Sequence, residues 1–190
     1  MILVAVALLG VLTVPIAGGR LSMLASVSLQ KIWAVWASVA IQLLITVGGT
    51  HVPTGGAQAL HMISYALSAW CLWSNRQLSG LWIVGGGGAM NLVAIAANGG
   101  SMPATAWAWR TAGLDVATAG QFENSGVATE ARLWVLGDVF AVPHGWPFAN
   151  VFSVGDIVIV VGLLVLAHRS CRPVATSAAA VDGRAVAAAA

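Results

Sequence analysis

Long uncharged apolar runs, separated by short polar breaks, dominate this chain. Ile2–Ala17, Ile32–Gly48, Ala57–Trp73, Gly80–Ala97 and Val151–Ala167 are each continuous in hydrophobicity rather than alternating. A helix needs roughly 20 mostly apolar residues to cross a bilayer, and about 17 are tolerated. Continuous runs also argue against a membrane β-barrel, whose strands alternate. The pattern predicts an all-α fold: a polytopic membrane helix bundle in a single domain over residues 1–168. Five transmembrane helices are expected at about 2–17, 32–48, 57–73, 80–97 and 151–167, with a long extracytoplasmic loop, 99–150, between the fourth and fifth. The tail, 169–190, lacks large side chains to bury and is expected to be a disordered cytoplasmic segment.

The breaks refine this outline. Pro15 is expected to kink the last turn of the first helix. That run has no positive segment before it and no A-x-A-like site after it, so it reads as a true first helix rather than a secretory signal. Leu21–Gln30 is mixed in polarity and fits a short interfacial helix. Asn98-Gly99-Gly100-Ser101-Met102-Pro103 is the hinge between the fourth helix and the long loop. Its two glycines allow positive φ, Pro103 forbids helix continuation, and Asn98 can cap carbonyls at a helix end. Leu133–Val142 is apolar but too short to span, which suits a re-entrant or interfacial segment, or a buried strand.

Composition sharpens the class. The chain is 59% hydrophobic and 7% charged, against about 25% charged in an ordinary soluble domain. There is no basic patch with interleaved aromatics, so nucleic acid is not an expected partner. The expected partners are the lipid bilayer and a membrane protein or a second copy of the chain. Basic residues set an orientation: Arg20, Lys31, Arg76, Arg169, Arg172 and Arg184 fall in the segments placed inside if the N-terminus is outside. Trp33, Trp36, Trp70, Trp73 and Trp82 fall at inner helix ends, and Trp107, Trp109, Trp134 and Trp146 at the outer side, as two aromatic belts. The expected location is the bacterial inner membrane, N-terminus out and C-terminus in. Cys71 and Cys171 are too few for a disulfide framework or a zinc site.

Two helices carry polar faces. His61, Ser64, Tyr65 and Ser68 share one side of the third helix, and Gly87, Asn91, Ala94 and Asn98 one side of the fourth. Polar groups in an apolar bundle need partners, so both faces should look inward. The Gly87 face is expected to pack on another helix, with the polar stripe of the third as the plausible partner. Glycines permit that close approach.

Asn98-Gly99-Gly100-Ser101-Met102-Pro103, Leu136-Gly137-Asp138 and Phe152-Ser153-Val154-Gly155-Asp156, in that order, with His61 and Ser64-Tyr65 in the third helix, resemble a family of small bacterial multi-spanning membrane proteins. That family is known only as a domain of unknown function. The resemblance implies an inner-membrane protein with the N-G-G-x-M-P and G-D elements as hallmarks, and it implies no activity, substrate or cofactor.

Candidate chemistry is sparse. Asp138 and Asp156 both follow glycine, and two close carboxylates can share a proton as an acid–base dyad. These segments resemble the G-x-G-D motif of intramembrane aspartyl proteases, but Val135 and Ser153 stand where its first glycine belongs. The preferred reading is structural: Asp156 caps helix-start N–H groups, and Asp138 does likewise or pairs with Arg132. His51, His61 and His144 lack ligand spacing, so no metal is expected. Ser64, Ser101 and Ser153 lie outside any G-x-S-x-G frame, and Gly85–Gly88 lacks the ending of a phosphate loop. No cofactor is expected. The segments Asn98–Trp109 and Leu133–Asn150 can fold back as an outer cap over a polar cavity between the third, fourth and fifth helices, or as a plug that only stabilises the bundle. The leading expectation is non-enzymatic binding of an amphipathic ligand or a membrane partner through that cap. The alternative is an intramembrane hydrolase or proton-coupled transporter using Asp156, Asp138 and His61. Asn98, Gly99, Gly100, Met102, Pro103, Asn91, Ser64, Tyr65, Ser153 and Gly155 are the ligand or structural-motif candidates.

Overall fold

The structure, a computed structural model, describes residues 2–48, 53–114, 125–127 and 131–172. Six α-helices appear in order: α1 Ile2–Val11, α2 Ile32–Gly48, α3 Thr54–Ser74, α4 Leu81–Ala97, α5 Ala106–Ala112 and α6 Val154–Ser170. Two short 3₁₀ turns, Leu21–Ser26 and Trp134–Leu136, and four three-residue strands complete the fold. β1, Met102–Ala104, pairs in parallel with β2, Ser125–Val127. β3, Phe140–Val142, pairs antiparallel with β4, Asn150–Phe152.

This corrects the all-α expectation of five transmembrane helices. No helix among the described residues is long and apolar enough to cross a membrane. α2, α4 and α6 have 17 residues each, only the lower bound of a span, or about 26 Å at 1.5 Å per residue against a hydrocarbon core of about 30 Å. α3 reaches 21 residues but spends part of that length on Gln58, His61, Ser64, Tyr65 and Ser68. α1 stops at Val11 because Pro15 has no N–H to return to the carbonyl of Val11, and the chain continues to Gly18 in hydrogen-bonded turns. The multi-pass inner-membrane placement, N-terminus out and C-terminus in, is therefore not supported. The disordered tail expected over 169–190 is set too early, because Arg169 and Ser170 continue α6. Its residues 173–190, His51, and most of the loop middle apart from β2 lie outside the described residues.

The helices form two pairs with a rim. α2 and α3 make an antiparallel hairpin, and among the described residues α4 and α6 make the most extensive contact between elements. α1 lies on the other side of α6, where Val14 packs with Ala167 and Cys171 and the Arg20 N–H donates to the Cys171 carbonyl at 2.9 Å.

The Gly87 face of α4 packs against α6, not against the polar stripe of α3. A Cβ at Gly87 would overlap the Gly155 carbonyl oxygen and lie 2.8 Å from the Ile159 amide. A Cβ at Gly162 would lie 2.6 Å from the Val84 amide and 3.0 Å from the Gly80 carbonyl. Gly80 and Gly87 on one side, Gly155 and Gly162 on the other, are each a heptad apart in sequence. Two antiparallel backbones thus meet at two points with no side chain between them, an arrangement that only small residues allow.

Many large apolar side chains remain on the outside: Leu8, Leu9 and Leu12 near α1, Leu43, Leu44 and Val47 of α2, and Trp33, Trp36, Trp73 and Trp82 around one end. Trp109, expected in an outer belt, is buried instead with Ala104, Ala108, Ala112 and Val151. α5 turns it inward while Trp107, two residues earlier, faces out.

Candidate functional site

The hinge after α4 is built by its own backbone and one amide. Gly99 and Gly100 take φ of 70° and 95°, and the Gly100 N–H returns to the Ile95 carbonyl at 2.9 Å, closing the helix end. Asn98 Nδ2 donates to the carbonyls of Ala94 and Arg132, both at 2.7 Å, and Asn98 Oδ1 accepts from the Arg132 N–H at 2.9 Å. Gln58 Nε2 donates to the Gly99 carbonyl. Met102 is buried against Ala94 and Ile95, with Tyr65 and Leu136 beside it. The Pro103 carbonyl accepts from the Asp138 N–H at 2.8 Å, and the Asp138 carbonyl accepts from the Thr105 N–H at 3.2 Å. The two loop segments are thereby stitched into a cap at the C-terminal end of α4. The Leu133–Val142 stretch within it divides into a 3₁₀ turn and β3.

Below the cap lies a polar junction. Ser153 Oγ accepts from the Asp156 N–H at 3.1 Å while Asp156 Oδ2 accepts from the Ser153 N–H at 3.0 Å, a reciprocal capping box that opens α6. Asn91 Nδ2 donates to Asp156 Oδ1 at 2.8 Å, and Ser153 Oγ donates to Asn91 Oδ1 at 2.9 Å. Gly155 lets Asn91 approach, since a Cβ there would overlap its side-chain oxygen. Both Asp156 oxygens thus accept protein donors, and the carboxylate also complements the helix dipole.

Tyr65 connects this junction to the neighbouring helices. Burial raises its hydroxyl pKa, the negative charges of Asp156 and then Asp138 raise it further, and it is pushed up to about 12. Its ring stands 5.3 Å from that of His61, centroid to centroid. Asp138 is buried. Tyr65 thus stands near all three groups of the acid–base alternative, Asp156, Asp138 and His61, but the two carboxylates share no cavity among the described residues. Asp156 borders a groove of about 390 Å³ between α1 and α6, and Asp138 borders neither that groove nor the cleft described next. Among the described residues, no three His, Cys, Asp or Glu side chains gather into a metal-binding set.

A different site, which takes in the sequence candidates Ser64 and Tyr65, opens between the α2–α3 hairpin and α4. It is a cleft of about 630 Å³, within the roughly 300–1,000 Å³ of small-molecule sites. Ser38, Gln42, Ser64 and Ser68 stand along its hairpin wall. Their polar groups largely bond within the hairpin: Ser68 Oγ donates to Ser38 Oγ at 2.9 Å, Ser38 Oγ to the Ser64 carbonyl at 2.9 Å, Gln42 Nε2 to Ser64 Oγ at 2.7 Å, and Ser64 Oγ to the His61 carbonyl at 2.6 Å. The polar stripe of α3 thus joins α2. The opposite wall is α4, where Gly85, Gly86 and Gly88 line the cleft and, apart from neighbouring residues and backbone of α4 itself, no heavy atom lies within 4 Å of a Cβ built on any of them. Tyr65 forms one end, backed by the cap. Arg76, Trp73 and Trp82 form the other. The Arg76 guanidinium lies 4.9 Å over the Trp73 ring, and Trp73 and Trp82 meet edge to face at 6.2 Å. A useful signal was present in the sequence: four consecutive glycines cannot all face one partner helix, so three of them had to line something else.

One family model, described as a family of unknown function (DUF5317), matches residues 26–168. That span holds α2 to α5, the cap and most of α6. No curated protein and no solved structure matches the chain.

Proposed function

The chain belongs to DUF5317, a family of unknown function, and on that premise we propose that it is a non-enzymatic protein that binds an amphipathic small molecule in the cleft between the α2–α3 hairpin and α4. The observation that carries this reading is the bare glycine wall: Gly85, Gly86 and Gly88 leave a lane along α4 with room for an apolar chain. The polar groups of the facing wall are largely bonded to one another, so they make little demand on a ligand. The cap serves as the backing of the Tyr65 end rather than as the binding surface itself. The hydrolase or transporter reading is disfavoured, because both Asp156 oxygens already serve the capping box and Asn91. The exposed apolar flanks of α1 and α2 need a cover of their own, and lipid or a partner protein fits them.

A neutral polarity-sensitive dye, N-phenyl-1-naphthylamine, tests the cleft. The wild-type protein is expected to bind it at one site. Gly88→Leu is expected to fill the lane and weaken binding at least about tenfold, with an unchanged circular dichroism spectrum. Unchanged dye affinity in a folded Gly88→Leu protein would overturn the proposal.

A further inference from the structure

Resting on the cleft reading, we infer that the ligand is a single-chain anionic amphiphile of about 12–14 carbons whose head group sits on Arg76. Three observations converge on this.

The first is charge. Arg76 is the charged side chain that lines the cleft, and it stands at one end. It is exposed, and no carboxylate pairs with it among the described residues. One of its amino groups donates to the Trp73 carbonyl at 3.2 Å, and its guanidinium stacks on the Trp73 ring. That leaves the other donors of a five-donor fork without a protein partner among the described residues, and such a fork is suited to a carboxylate or a phosphate. Stacking holds the fork in place before a ligand arrives.

The second is the order of side chains from the charged end. Trp73, Trp82 and Leu81 follow Arg76 at the mouth, and along the α4 wall then come the glycine lane, Ala89 and Leu92, while Ser38, Gln42, Ser64 and Ser68 of the hairpin wall bond largely within the hairpin. A head at Arg76 and a tail running toward Tyr65 matches this order. The reverse orientation would set an anionic head near Tyr65, where Asp156 and Asp138 already impose negative potential.

The third is length. From Leu81 to Leu92 along α4 the cleft covers eleven residue steps, about 16 Å at 1.5 Å per step, and Arg76 stands in the turn just beyond the end of α3. Carbon–carbon bonds of about 1.5 Å at tetrahedral angles advance about 1.25 Å each, so an extended chain of about 13 bonds fills the lane. Tyr65, packed beside Met102 and Leu136 of the cap, stands at the far end and limits how far a chain can run along the lane.

Titration calorimetry below the micelle-forming concentrations decides the matter. The probes are saturated carboxylates from 8 to 18 carbons, dodecyl phosphate, dodecanol and dodecyltrimethylammonium. The carboxylates are expected to bind best at about 12–14 carbons, and the dodecyl anions about tenfold or more tighter than dodecanol, with the cation weakest. Arg76→Gln is expected to erase the advantage of the anions and leave dodecanol unchanged, while Arg76→Lys restores part of it. The phosphate and carboxylate arms separate a phosphorylated head group from a free acid. Equal binding of anion and alcohol, or an Arg76→Gln protein that keeps the anion preference, would overturn the head-group inference and leave the cleft standing. Failure of every amphiphile, dodecanol included, would overturn the cleft reading itself.

Discussion

Gly87 and Gly88 are adjacent, and their alanine variants should move stability in opposite directions. Both positions lie inside α4, so both gain about 1 kcal/mol of helix propensity from the substitution. They differ in what the new methyl meets. At Gly88 nothing lies within 4 Å, so the propensity gain should appear nearly whole. At Gly87 the methyl would overlap the Gly155 carbonyl and sit 2.8 Å from the Ile159 amide. Both are backbone atoms that cannot rotate away. To restore an ordinary contact, α4 and α6 must separate by more than half an ångström along their tightest seam, and overpacking of this kind costs about 1–3 kcal/mol. Because propensity cancels between the two variants, their difference isolates that cost. Gly87→Ala should therefore be less stable than Gly88→Ala by about 1–3 kcal/mol, or about 2–12 °C in Tm for a chain of this size. Denaturant titration followed by tryptophan fluorescence gives both numbers, and calorimetry gives Tm. Equal stabilities would refute the packing of Gly87 against α6.

Tyr65 is the one tyrosine in the chain, so ultraviolet absorbance reads its ionisation alone. Its midpoint should lie near 12 in the folded protein and near 10 when unfolded. Because the folded value is the higher one, the stability it contributes is present below about pH 10 and is lost as pH rises toward 12. Asp156→Asn and Asp138→Asn should each lower the folded midpoint, and an unmoved midpoint would contradict the proximity of those carboxylates. Asp156→Ala should cost about 2–3 kcal/mol in a denaturant melt, since it removes the capping box and strands the buried Asn91 amide. Asp156→Asn keeps one acceptor oxygen and should cost about 1 kcal/mol. Asn98→Ala should release both the α4 terminus and residue 132, seen as faster amide hydrogen exchange of the Arg132 N–H, which now donates to Asn98 Oδ1.

The helices were legible because their apolar runs are uninterrupted and their ends carry strong punctuation: Pro15, Gly80, and the Asn98 to Pro103 hinge. Their failure to reach across a bilayer was harder to read. It depends on a few residues at each end, such as the loss of the turn after Val11, and on polar residues spread through α3. The strands were not readable in detail. Each holds three residues, too few for an alternating pattern to appear, and pairings such as Ala104 with Asp138 join distant segments. Periodicity identified the Gly87 face but not the helix it meets. The repeat of glycine at positions 80 and 87, and again at 155 and 162, carried that information as matched heptad spacings. A cavity between helices was expected, and Ser64 and Tyr65 were among its candidates, but its walls were not legible because they are lined by residues whose neighbours are absent on one side, and Arg76 looked like an ordinary loop cation.

The central claim is a place: a chain lying along Gly85 and Gly88 with its head at Arg76. A crystal of the protein grown with 12-bromododecanoate tests it directly, because anomalous scattering locates the terminal bromine without reference to any structural expectation. The predicted peak lies at the Tyr65 end of the cleft, beside Leu92, with the carboxylate within hydrogen-bond distance of the Arg76 guanidinium. A peak in the groove between α1 and α6, or on the outer face of the helices with the cleft empty, would contradict the account.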